Sequence, residues 1–391
     1  MNIAIFTDSF YPQINGVVTS LVAQALQLAK RGHRIVIFAP RNKKNKSIRL
    51  HRNIESIYLK SIKANFYEDF RTTFPLDLKV LSYFNRKKID IVHFMTPFTI
   101  GMNAILASKI FRKPLVGTFH TFISDPKYLE IVRLHRLSKI LTPLTWAYSN
   151  MYYNSCSLVI SPSEATRQEL IKNKCRAPIQ VISNGIDLKK FINKPSKNLA
   201  KYRINSKTLL FVGRVSVEKS IDVIISSLAM VIKKHPDARL LIVGAGPAKE
   251  ELEKITREKK LAKNVIFAGK IEHDTLVKSG ILHHSAIFVT ASKTENQPMT
   301  ILEACACGLP VVGVNSLGVP EMVSSQNGII VEPDNPKKFA GAIIRILDNP
   351  KLRKQMSENS LKFARKNSIE KVGQQLENAY KILLENSKKS S

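Results

Sequence analysis

Short apolar runs alternate with longer, partly polar stretches along almost the whole chain. In the first half the runs fall at residues 2–6, 34–39, 89–95, 115–119, 158–161 and 179–183, separated by helical segments that include 17–31 and 163–174. A stretch rich in Lys, Asn, Pro and Ser follows at 189–207, and the alternation restarts at 208–212, 239–243, 264–268, 286–289, 310–314 and 328–331. Strands this apolar, spaced by helices, belong in parallel sheets covered on both faces. The pattern predicts an α/β protein of two doubly wound, Rossmann-like domains facing each other across a cleft. The expected boundaries are 1–188, 189–365 and a C-terminal helix with basic tail over 366–391, packing back toward the N-terminal domain. Ligands of such folds bind outside the carboxyl ends of the strands.

One stretch concentrates candidate chemistry. Between the strands at 286–289 and 310–314 a loop becomes a helix, with Asn296 as expected N-cap and Gly308 as expected C′ residue. Glu295 falls in the loop and Glu303 eight residues on, inside the helix. Unpaired N–H groups and the positive dipole end at a helix N-terminus suit a phosphate. A carboxylate beside a phosphate makes sense if it grips sugar hydroxyls. Read alone, the stretch equally describes a surface loop with two solvated glutamates.

Composition narrows the classes. A chain of 391 residues is long for one core, and 44% apolar content supports packed interiors. No apolar run approaches the roughly 18 residues of a membrane span. The start, Met1-Asn2-Ile3-Ala4-Ile5-Phe6, reads as a first strand rather than a signal peptide, and the expected location is the cytoplasm. Cys156, Cys175, Cys305 and Cys307 have no zinc-ligand spacing, and neither metal nor disulfide is expected of Cys305 and Cys307. Charge is the unusual quantity: 61 Lys and Arg against 30 Asp and Glu give +31. Residues 1–190 hold 29 basic and 11 acidic side chains, leaving 32 and 19 beyond, so both halves are basic. Such a field attracts polyanions, an anionic membrane or nucleic acid. No nucleic-acid module is recognisable, so the membrane is the expected partner and a nucleic-acid-binding protein the distant alternative. A generally Lys-rich proteome is the plainer explanation.

The other strand-end loops carry further candidates. Gly16 opens a helix and lets backbone approach an anion, or makes an ordinary turn. His120 ends a strand. Arg214 and Lys219, in Gly213-Arg214-Val215-Ser216-Val217-Glu218-Lys219, form a cation pair suited to a diphosphate, or two solvated charges. Gly244-Ala245-Gly246-Pro247 reads as a strand-to-helix turn, its proline arguing against a dinucleotide fingerprint.

Taken in order, the Gly16 loop, the His120 strand end, Asn184-Gly185-Ile186-Asp187, the Gly213–Lys219 motif and the two glutamates resemble family 4 of the retaining glycosyltransferases, of GT-B fold. The resemblance implies transfer of a sugar from a nucleotide donor with retention at the anomeric carbon. It assigns the donor diphosphate to Arg214 and Lys219 with backbone near Gly16, Met299 and Thr300, and the base to backbone at Lys270 and Ile271. Glu303 would bind the ribose, Glu295 the sugar hydroxyls, and His120 would sit at the reacting centre. No Asp-x-Asp occurs, which fits metal-independent chemistry without cofactor. Here Glu295 is followed by Asn296-Gln297-Pro298, where many members have glycine, so the amides facing the phosphates differ.

The opening Thr7-Asp8-Ser9-Phe10-Tyr11-Pro12 and the run after His120 resemble the branch that glycosylates diacylglycerol, or related lipid mannosyltransferases. Independently, residues 127–153 mix Leu, Ile, Trp146 and Tyr with Arg133, Arg136 and Lys139, a composition suited to a lipid interface or to a cleft wall. The expected function is hexosyl transfer, glucose from UDP-glucose, onto a membrane lipid such as diacylglycerol, by an enzyme peripheral on the inner face of the cell membrane. GDP-mannose as donor, or a soluble or polysaccharide acceptor, is the alternative.

Overall fold

The computed structural model describes residues 1–11, 13, 15–42, 49–63, 71–120, 138–192 and 199–389, with backbone alone for 138–140. Two compact units result. The first comprises Met1–Gly185 together with Ile369–Ser391, and the second Ile186–Ser368. The crossing at Gly185/Ile186 lies three residues before the break expected from the Lys- and Asn-rich stretch.

In the first unit β1 (Asn2–Phe6), β2 (Arg34–Pro40), β3 (Ile54–Leu59), β6 (Ile91–Phe94), β7 (Leu115–Thr118), β8 (Leu158–Ser161) and β9 (Ile179–Val181) form a parallel sheet in the order β3-β2-β1-β6-β7-β8-β9. A small antiparallel pair, β4 (Ser61–Lys63) and β5 (Arg71–Thr73), stands apart. The apolar runs predicted the central strands, which are buried along their length. They did not predict β3, β4 or β5. β3 is an edge strand, buried only at Ile54 and Leu59, so its sequence lacks a continuous apolar run.

Helices α1 (Gly16–Lys30), α2 (Leu78–Arg86), α3 (Thr99–Ile110), α4 (Ser138–Tyr153) and α5 (Glu164–Lys172) connect these strands. In the second unit β10 (Thr208–Val212), β11 (Arg239–Val243), β12 (Val265–Gly269), β13 (Ile287–Val289), β14 (Val311–Val314) and β15 (Gly328–Val331) order as β12-β11-β10-β13-β14-β15. Its helices are α6 (Ile221–Val231), α7 (Lys249–Glu258), α8 (His273–Ser279), α9 (Ile281–His284), α10 (Met299–Ala306), α11 (Val319–Met322), α12 (Pro336–Asp348) and α13 (Pro350–Lys366).

The described parts of the stretch expected as a linker, 189–192 and 199–207, belong to this second unit. Phe191 is buried in its core, and the Phe191 carbonyl lies 2.9 Å from His283 Nε2. Apolar Phe191 inside a polar stretch explains why composition alone misjudged it.

The last helix, α14 (Ile369–Lys389), returns to the first unit. Its Ile369, Val372, Leu376 and Tyr380 join the same core as α1 and β1. Arg31 pairs with Glu377, which also takes Lys381 Nζ at 2.7 Å.

Both sheets reverse strand order once, between β1 and β6 and between β10 and β13. Loops leaving the strands on either side of such a point diverge, opening a crevice at the carboxyl edge.

Candidate active site

In the second unit the loops after β10 and β13 flank its switch point. The first is held by backbone against its neighbour after β11: Val215 N–H donates to Ala245 O at 3.0 Å and Ala248 N–H to Val215 O at 3.1 Å. A Cβ at Gly244 would lie 1.8 Å from Gly213 O, and one at Gly246 2.2 Å from Val215 O. The two glycines therefore serve close backbone packing. Arg214 is half-buried on this loop, Glu218 turns back to Ser216 Oγ at 2.5 Å, and Lys219 reaches across to pair with Glu295. Both partners of that pair are largely shielded.

The second loop is propped from behind. Gly318 N–H donates to Glu295 O at 3.0 Å, and Ser316 Oγ to Lys293 O at 2.8 Å. A Cβ on Gly318 would fall 1.6 Å from Asn296 O, so only glycine admits this approach.

The helix does not begin at Asn296, as the sequence suggested. It begins at Met299 with Pro298 at the N-cap position and no capping side chain. The residue before a proline avoids the helical region, which keeps Gln297 out of the helix and delays the start. Asn296 is instead buried. Gly308 does occupy the C′ position, with φ +75°. Met299 and Thr300 thus form the first turn, where N–H groups lack helical partners.

One turn further on, Glu303 is buried, with 5% of its side chain exposed, and its Oε1 lies 2.8 Å from Nε2 of His273. The bonded carboxylate raises His273 above the ordinary histidine range, against the opposing effect of burial. Sequence reading missed His273. Its signal was available: it opens α8 just past β12, two residues beyond Ile271. Ile271 and Met299 pack on one core cluster, which fixes the two loops together.

The first unit places different groups at its own switch point. Asp8, after β1, accepts from Thr96 Oγ1 at 2.6 Å and from the Ile100 N–H in the first turn of α3. Its Oδ1 has no partner among the described residues, and burial lifts its carboxyl to about 7.

His120 follows β7, where burial lowers its imidazole to about 4, so it is neutral at ordinary pH. Behind it His93 bonds Tyr380 Oη through Nδ1 and Thr118 Oγ1 through Nε2, both at 2.7 Å. Burial, followed by the charge of His120, lowers His93 to about 3. Tyr380 of the returning α14 thereby braces His93 on β6 and, through it, Thr118 at the end of β7, two residues before His120. Gly16 is the first, exposed residue of α1, whose N-cap Asn15 accepts from Val18 N–H at 3.0 Å.

The expected membrane residues fare differently. Arg133, Arg136 and the Lys139 side chain lie outside the described residues. Trp146 does not face outward: it is 9% exposed and stacked on Phe119, with ring centroids 6.1 Å apart and planes 6° off parallel. The helix is apolar on more than one side, so composition could not say which side turned in. Among the described residues no helix is long and apolar enough to cross a membrane.

Two Rossmann-like units, one with cationic and carboxylate side chains converging before a helix N-terminus at its switch point, define the GT-B class of sugar transferases. Comparison with known proteins agrees and goes further. Residues 14–190 match the model for Glycosyltransferase Family 4, and residues 196–363 match that for Glycosyl transferases group 1. The chain belongs to the family 4 glycosyltransferases and is a hexosyltransferase.

Its relatives include the alpha-monoglucosyldiacylglycerol synthase of Streptococcus pneumoniae, 28% identical over 89% of this chain and 78% of that one. The enzyme of the same name from Acholeplasma laidlawii is 28% identical over 92% of both. Among solved structures, sucrose-phosphate synthase from Thermosynechococcus elongatus superposes with a TM-score of 0.79 over 98% of this chain and 99% of that one, at 19% identity.

Proposed function

We propose that this enzyme transfers glucose from UDP-glucose, with retention, onto a diacylglycerol-type membrane lipid, working without metal at the inner face of the cell membrane. The observation that carries the reading is the Lys219–Glu295 pair at the switch point, just before the first turn of α10. Lys219 and Arg214 supply positive charge for the diphosphate in place of a metal. Lys219 also fixes Glu295, which then meets the hexose hydroxyls, while Glu303 takes the ribose. The two relatives named as monoglucosyldiacylglycerol synthases support the acceptor class.

In the transfer, the bond from the anomeric carbon to the phosphate oxygen breaks and its electron pair leaves on UDP. The acceptor oxygen bonds to the same face of that carbon, and its proton passes to the departing phosphate. His120, neutral, holds a hydroxyl at the reacting centre and need not take that proton.

The test is product analysis by mass spectrometry, with UDP-glucose, UDP-N-acetylglucosamine and GDP-mannose offered against diacylglycerol in mixed micelles. α-Glucosyldiacylglycerol from UDP-glucose is expected. Transfer from another donor, or to soluble acceptors alone, overturns the reading.

A further inference from the structure

Helix α4 is built the wrong way round for a helix facing water. Between 141 and 153 it holds no charged residue. Its polar side chains are spent internally: Thr145 Oγ1 donates to Leu141 O at 3.0 Å, Ser149 is buried, and Asn150 Nδ2 donates to Asn173 O at 2.6 Å. One side is packed inward by Trp146 and Tyr153. The opposite side carries Leu144, Tyr148 and Met151, spaced four and three residues apart and 59%, 38% and 49% exposed. That spacing lines them up as one stripe.

A helix apolar all round is normally covered on every side. Among the described residues nothing covers Leu144, Tyr148 and Met151, and such an outward stripe marks a docking surface.

What flanks the stripe indicates the partner. The turn after α5 seats on the end of α4, with Arg176 N–H donating to Asn154 Oδ1 at 2.6 Å. That turn exposes Lys172, Lys174 and Arg176, offset by Glu169, which lies 3.5 Å from Lys172. The chain as a whole carries +31. Apolar side chains beside exposed cations complement an anionic lipid surface, where acyl chains take the former and headgroups the latter.

We propose that the Leu144–Tyr148–Met151 stripe of α4 inserts into the headgroup boundary of an anionic bilayer, with Lys174 and Arg176 on its phosphates. The proposal rests on the lipid-acceptor reading and names the surface by which the enzyme reaches that acceptor.

The experiment is sedimentation of the full chain with vesicles of phosphatidylglycerol and phosphatidylcholine, over a range of salt. The parent is expected to bind, with a part that resists salt. Leu144→Gln with Met151→Gln removes the salt-resistant part and weakens partitioning roughly tenfold or more, from lost burial of two large side chains. Lys174→Gln with Arg176→Gln removes the salt-sensitive part instead.

Trp146, the single tryptophan, packs on the inner side of the same helix, so unchanged emission shows the variant helix intact. A folded stripe variant that sediments like the parent overturns the proposal. So does a stripe variant whose only change is loss of a dimer. Glucosyl transfer in detergent micelles separates the two readings: a parent that binds through the stripe yet glycosylates no lipid overturns the acceptor and leaves the surface standing.

Discussion

Replacing Glu303 by alanine has two separable effects. The carboxylate is 5% exposed and bonded to His273 Nε2 at 2.8 Å. A hydrogen bond to a charged group contributes about 1.5–3 kcal/mol. His273 keeps some access to water, which puts the folding loss at the lower end, about 1.5–2 kcal/mol.

The ligand effect is larger. A carboxylate gripping both ribose hydroxyls makes two charge-assisted bonds, so Glu303→Ala should weaken UDP by about 2–4 kcal/mol, or roughly 30- to 800-fold in Kd.

A pH signature separates the two. Because Glu303 raises His273 above its ordinary 6.5, the pair's contribution is complete below that value and fades as pH rises through the raised one. The stability gap between parent and variant should therefore be widest in mild acid and narrow in alkali. Calorimetry with UDP and melting curves across that range give both numbers. A folded Glu303→Ala protein that binds UDP like the parent refutes the ribose assignment.

Gly318→Ala should leave the unit folded yet cut turnover at least tenfold, because the new Cβ must push Asn296 O and with it the Glu295 loop; near-normal kinetics would mean the loop yields freely. His120→Ala should bind donor nearly as well as the parent and turn over far more slowly. Since burial holds His120 near 4, no step belonging to it should appear in the kcat profile around neutral pH, and a step there that His120→Ala abolishes would contradict its placement. Lys381 and then Arg31 hold Glu377 down at about 2, so Glu377→Gln should loosen α14 in urea melts. The stabilisation is present above about 4.5 and lost as pH falls toward 2, so the difference should shrink over that interval; a constant difference would rule out the ion pairs as its source.

The sequence by itself determined the two sheets and the loops that matter. Runs such as Thr208-Leu209-Leu210-Phe211-Val212 can only be buried on both faces, and glycine, cation and carboxylate motifs directly after such runs must lie at a sheet's carboxyl edge. Gly308 was legible for a similarly local reason, since its position demands a positive φ.

Only the tertiary structure decided which loops meet. Strand order sets β10 beside β13, and that alone brings Lys219 to a glutamate 76 residues away. His273 and Glu303 are 30 residues apart, and His93 and Tyr380 are 287 apart, with no periodic signal linking either pair. Trp146 shows the same limit within one helix. Periodicity fixes which residues share a side of α4, but both sides are apolar, and the side turned inward was chosen by Phe119 on the neighbouring strand's end.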